Sequence, residues 1–139
     1  MARTVRDMMM PNPLTVDAGT TIEDAARLMR EHDITDVLVT EDGRLHGLLT
    51  ERDIVFRAIA GERHPSATYA GECCRRDMPA VTVDDGLQRA ADVMHQHGLK
   101  RLPVIDDGQL VGIVWGADIW ALLVRRPTPA DISIAPRHS

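Results

Sequence analysis

Apolar and polar positions alternate along this chain in an order that recurs. Val5, Met8 and Met9 predict a short amphipathic lead-in, ended by Pro11 and Pro13. Leu14-Thr15-Val16 predicts a short extended piece. Thr20 with Glu23 three residues on has capping-box spacing, and Ile22, Ala25, Ala26 and Met29 continue at helical spacing to about His32. Val37-Leu38-Val39, an Asp42-Gly43 turn and the run Leu45 to Leu49 predict a hairpin. A second helix is predicted from Glu51 to Ala60, stopped at Gly61.

The same order then returns. Val81-Thr82-Val83 is extended, Leu87 to His97 is helical with Gly98 as its cap, and Leu102 to Ile105 is a strand. Asp107-Gly108 turns into Leu110 to Val114, and a last helix runs from Gly116 to Val124. Residues Ile22 to Ile54 align without a gap to Leu87 to Ile119 at a constant offset of 65. Ala25-Ala26 matches Ala90-Ala91, Asp42-Gly43 matches Asp107-Gly108, and Asp53-Ile54 matches Asp118-Ile119. Two copies of one unit bury their apolar faces against each other, so function is expected at the seam between them. With Thr15 aligned to Thr82, the approach to Met94 is two residues shorter than that to Met29, which predicts a tighter helix start in the second copy.

Length and composition narrow the classes. At 139 residues the chain is one domain or two half-size units sharing a core. A net charge of -5 argues against a non-specific nucleic-acid binder, and four aromatic residues are too few for a base-stacking platform. The longest apolar stretch, Gly108 to Val124, is short, glycine-rich and interrupted by Asp118, so no membrane span is expected. The charged N-terminus has no apolar signal-peptide core. Cys73 and Cys74 are adjacent and cannot form an ordinary disulfide with each other, which fits a reducing cytoplasm and two small packing residues. No Walker-type loop, metal-ligand spacing or nucleophile–base arrangement emerges, so neither a catalytic nor a metal site is expected.

The tandem β-α-β-β-α unit resembles the CBS domain over about residues 3 to 124, as a stand-alone bacterial pair. The resemblance rests on the Ala-Ala-x-x-Met helix, on Leu102-Pro103-Val104-Ile105-Asp106, and most specifically on Gly47-Leu48-Leu49-Thr50-Glu51-Arg52-Asp53. It implies an α/β (α+β) fold of two repeats, 1–61 and 69–125, about a pseudo-two-fold axis. A linker of 62–68 joins them, and a disordered tail follows at 126–139. It further implies two clefts that take adenosine-containing ligands such as AMP, ADP, ATP or S-adenosylmethionine, and a non-catalytic regulatory role. Pairing into a homodimer through the last helix of each repeat is implied as well. A ligand-independent protein-interaction role is the alternative, with an unidentified protein partner.

Carried over, the first cleft joins Thr50, Arg52 and Asp53 to Pro79, Ala80, Val81, Lys100, Arg101, Leu102 and Pro103. Asp53 is expected to hold a ribose, Lys100 and Arg101 the phosphates, and Ala80, Val81 and Leu102 the base. The second cleft joins Trp115 and Asp118 to Asn12, Pro13, Leu14, Thr35, Asp36 and Val37. There an indole replaces the hydroxyl of Thr50 and Asp36 stands where the first cleft has Arg101. That cleft is expected to be empty, filled by Trp115, or selective for an uncharged or cationic adenosyl group.

Overall fold

The chain opens with α1 (Val5–Met8) and β1 (Met10–Pro11), and neither belongs to the half that follows it. In the computed structural model, which describes residues 3–123, the first half is a sheet of three strands. β2 (Thr15–Asp17) runs parallel to β3 (Asp36–Glu41), which pairs antiparallel with β4 (Arg44–Thr50). Helix α2 (Ile22–Glu31) makes the crossover and buries Ile22, Ala25 and Met29 against the sheet. Its cap is Thr21, whose side chain accepts from the Asp24 amide at 3.1 Å, one residue later than the Thr20 spacing predicts. The β3–β4 turn has positive φ at both Asp42 and Gly43, the primed geometry that suits the strand twist.

After β4 comes one turn of helix, α3 (Glu51–Asp53), and then a π-helical segment over Ile54–Ile59. The predicted α-helix over this stretch is therefore corrected. Its bonds run five residues back, as in Ala60 N–H to the Val55 carbonyl at 2.8 Å. Apolar spacing cannot separate a π turn from an α turn over so few residues. A short helix α4 (Ala70–Cys73) leads to β5 (Val81–Thr82), α5 (Leu87–His97), β6 (Arg101–Asp106), β7 (Gln109–Trp115) and α6 (Gly116–Leu123). The second sheet has the order β1-β7-β6-β5. The proposed disordered tail lies outside the described residues.

Pairing corrects the alignment of the two opening strands. Val16 sits beside Val39, and Val81 beside Val104. The offset of 65 thus holds through β2 and β5, Thr82 matches Asp17 rather than Thr15, and the second helix is not approached more tightly.

The lead-in segments exchange. Val5 is buried in the core of the second half, with Val81, Leu87, Val104 and Ile119. Ala70, Cys73 and Cys74 are buried in the core of the first half, with Val16, Ile22 and Val39. β1 pairs with β7, while Arg75 makes the equivalent bridge to Leu48. Boundaries at 61 and 69 therefore divide each lead-in from the core it fills. Neither half completes its apolar core from its own repeat, and burying each large side chain there contributes roughly 1.5–3 kcal/mol.

Candidate functional site

The end of β4 delivers Thr50 to the start of α3, where it forms a reciprocal cap with Asp53. The Thr50 amide and hydroxyl donate to Asp53 Oδ2 at 3.0 and 2.8 Å, and the Asp53 amide donates to Thr50 Oγ1 at 3.1 Å. The other carboxylate oxygen, Oδ1, lies 3.5 Å from Arg75 Nε and 3.7 Å from Arg57 Nε. Asp53 is only 3% exposed. Its carboxylate is thus occupied by the chain's own donors on both oxygens.

Among the described residues, no hydrogen bond or ion pair joins the remaining residues expected in the first cleft to that carboxylate. Arg52 lies over the Phe56 ring, 4.9 Å from its centroid. Val81, Leu102 and Pro103 are buried, Val81 and Leu102 within the second core. Pro79 is half-buried and Ala80 exposed. Lys100 lines a separate apolar groove of about 400 Å³ between α5 and α6, with Met94, Leu99, Ile119 and Trp120. Arg101 turns the other way. Its Nη2 donates to Asp36 Oδ1, and its guanidinium stacks on Trp115 at 5.2 Å.

That turn builds the second cleft. A cavity of about 210 Å³ lies between the halves, lined by Leu14, Ile34, Asp36, Val37, Leu38, Arg101, Ile113 and Trp115. Four of the residues expected there, Leu14, Asp36, Val37 and Trp115, line it. Asn12 is exposed, Pro13 is half-buried and Thr35 is exposed. Asp118 is exposed on the first turn of α6, beyond the end of β7, and among the described residues it has no hydrogen-bond or ionic partner. Trp115 has no hydroxyl to cap α6, so Asp118 is not drawn inward as Asp53 is.

Arg101 belongs in this cleft because of a bulge in the β6–β7 ladder that counting along the sequence does not show. Counting back from the Asp107-Gly108 turn, with one register shift between Val104 and Ile105, places Arg101 opposite Trp115. Arg57 was within reach of the sequence, four residues after Asp53 and so on the same helical face. Arg75 was not, because it arrives from α4 across the seam. Ile34, Leu38 and Ile113 carried no chemical signal that marked them as cavity wall.

Chemically, the cavity offers apolar walls, an indole face and one compensated ion pair. That suits a flat heteroaromatic group rather than bond-making chemistry. At about 210 Å³ it is smaller than the roughly 300–1,000 Å³ of drug-sized sites, which leaves room for a small group only. His46 is held between Glu41, 3.4 Å from Nδ1, and the Gly71 carbonyl, 3.3 Å from Nε2, the same oxygen to which the Cys74 thiol donates at 3.7 Å. Burial pushes the Cys73 and Cys74 thiols above their usual range. Among the described residues no three His, Cys, Asp or Glu side chains gather to hold a metal, and no helix is long and apolar enough to cross a membrane.

Comparison with known proteins matches the CBS domain family model at residues 5–59 and 70–114. Hypoxic response protein 1 of Mycobacterium tuberculosis is 41% identical over 117 residues, 84% of this chain and 82% of that protein. Its crystal structure, described with two coordinated zinc ions, superposes with a TM-score of 0.77 at 40% identity, covering 86% of this chain and 98% of that one. CBSX2 in complex with AMP superposes at 0.72 and 26% identity, covering 89% and 99%. The CBS pair of MJ0100, in complex with 5′-methylthioadenosine and S-adenosyl-L-methionine, superposes at 0.68 and 26% identity, covering 88% and 97%.

Proposed function

The chain belongs to the CBS-domain family, and from that premise we propose that it is a non-catalytic module that binds an adenosine-containing ligand in the seam cleft. The observation that carries the reading is the cavity that Leu14, Asp36 and Val37 of one half form with Arg101, Ile113 and Trp115 of the other. The base lies against Trp115 and the apolar wall, and Asp118, on the first turn of α6 three residues after Trp115, accepts from the ribose hydroxyls. Complexes of two relatives with AMP and with S-adenosyl-L-methionine support this class of ligand. Because both halves line the cavity, an occupant favours one mutual tilt over others, and that population shift is the signal. The first cleft, with Asp53 already engaged, is the weaker candidate.

The test is a thermal-shift panel with adenosine, AMP, ATP and S-adenosylmethionine on wild type and Trp115→Ala. A ligand at 100 times its Kd stabilises by about 2.7 kcal/mol, several degrees for a domain of this size. A shift that Trp115→Ala abolishes supports the reading, and no shift with any compound sinks it. One observation favours a second reading, a ligand-independent interaction protein: Asp36, Arg101 and Asp53 are already paired without a ligand.

The reading includes a homodimer. Val55, Phe56 and Ile59 on the π segment and Trp120, Leu122 and Leu123 on α6 are exposed. Of these, Trp120 lines the α5–α6 groove and Ile59 lines an equivalent one beside α2, with Ala26 and Ile54. Apolar helical faces of this extent suit a second copy. Sedimentation of Trp120→Glu as a monomer, against a dimeric wild type, checks it. Two unbridged buried cysteines suit a reducing compartment, and we place the protein in the cytoplasm.

A further inference from the structure

We infer that Asp36 is the specificity-determining residue of the seam cavity: by pairing with Arg101 it turns the cavity against phosphate and toward adenosyl compounds whose 5′ substituent is uncharged. The inference rests on the reading of that cavity as an adenosyl site.

Among the described residues that line the cavity, Arg101 is the only cation and Asp36 the only anion. A guanidinium recognises phosphate through the paired N–H groups on its edge. Here Nη2 already donates to Asp36, and the face of the group is covered by Trp115 at 5.2 Å. The pair is part-buried, with side-chain exposures of 31% and 26%, so solvent screens it less than a surface pair. Its charges sum to zero. An arriving phosphate has two options: to sit against a neutral pair, or to take Arg101 and leave Asp36 as a freed carboxylate beside a dianion. Both are unfavourable.

Among the described residues no second cation lines the cavity. Arg57 and Arg75 are engaged at Asp53, Arg52 lies over Phe56, and Lys100 lines the groove between α5 and α6. A neutral nucleoside breaks no pair when its base enters the apolar part of the cavity. The residue at the equivalent position of the two repeats is therefore Asp in one and Arg in the other, and the Asp cancels the phosphate-binding capacity of the Arg.

Adenosine and AMP differ only in the phosphate, which makes them the probes, with titration calorimetry as the readout. Wild type is expected to bind adenosine at least about tenfold more tightly than AMP. Asp36→Asn keeps the size and hydrogen-bonding capacity of the side chain while removing its charge. It is expected to tighten AMP about tenfold and leave adenosine within about threefold. Adding Arg101→Gln should abolish that gain. AMP binding to wild type as tight as adenosine, or unchanged in Asp36→Asn, overturns the inference while leaving the cleft reading intact. Failure of both compounds and of S-adenosylmethionine to bind either protein, each melting cooperatively, overturns the cleft reading itself and the inference with it. Asp36→Ser serves as the second neutral variant if Asp36→Asn does not fold.

Discussion

Asp36 and Arg101 stand at the same position of the two repeats, 65 residues apart, and they meet each other across the seam. A pseudo-two-fold axis brings equivalent positions together only close to itself, so this ion pair lies near the line about which the halves are related. The same geometry places the two hairpin turns side by side, with the Leu110 amide donating to the Gly43 carbonyl at 2.9 Å. The two halves therefore share polar contacts at their seam as well as exchanged lead-ins.

The ion pair should contribute modestly and measurably. A double-mutant cycle of Asp36→Asn and Arg101→Gln, read by urea denaturation, is expected to give a coupling of about 1 kcal/mol. The coupling should shrink as salt rises toward 1 M, since the pair is only part-buried. A coupling of zero at low salt would mean that the pairing carries no energy.

The two motif aspartates should differ in what they do for stability. Asp53 caps α3 and faces two arginines, so Asp53→Ala is expected to cost about 2 kcal/mol, a cap plus part-screened ion pairs. Asp118 is exposed and unpaired among the described residues, and Asp118→Ala should stay within about 0.5 kcal/mol of wild type. Ligand binding should show the reverse order, with Asp118→Ala the more damaging once melting is corrected for stability. Equal costs for the two substitutions in urea would contradict the structure.

Gly47 and Gly112, the glycines of the two motifs, are required by the exchanged segments rather than by a ligand. A Cβ at Gly47 would lie 2.2 Å from the Arg75 carbonyl oxygen, and one at Gly112 would lie 2.7 Å from that of Met10. Both contacts are with backbone, which cannot swing aside. Gly47→Ala and Gly112→Ala are each expected to destabilise by about 2 kcal/mol or more. Hydrogen exchange should report the loosening first at the Arg75 and Leu48 amides in the former. Variants as stable as wild type would show that the crossing segments do not approach as described.

The buried thiols give the pH prediction. Desolvation raises both above their usual range, so the folded state favours the neutral thiol while the unfolded chain ionises sooner. Their contribution to stability is fully present below the unfolded thiol value, near pH 8.5, and is lost as pH rises through the folded one. Stability measured from pH 7 to pH 10 should decline more in wild type than in a Cys73→Ala, Cys74→Ala double variant. At pH 8 an aromatic disulfide reagent should label native protein only as fast as it opens. Rapid labelling in the absence of denaturant would contradict the burial.

Local pattern determined a large part of this protein. The offset of 65, the two Asp-Gly turns, α5 with its cap at Gly98 and the strands on either side of each turn all follow from contacts within a few residues. Strand pairing next to a two-residue turn is set by counting, but counting alone puts Arg101 opposite Val114, and the bulge between Val104 and Ile105 moves it to Trp115. Tertiary structure decided what counting cannot reach. The exchange of α1 and α4 between cores, the arrival of Arg75 at Asp53 and the meeting of Asp36 with Arg101 join residues tens of positions apart. Their geometry is set by how two sheets pack about an axis that appears nowhere in either repeat. A motif therefore marked the positions where chemistry could occur. Which carboxylate was left free to take part depended on whether Thr50 or Trp115 stood at the helix start, and on which arginines the packing brought near.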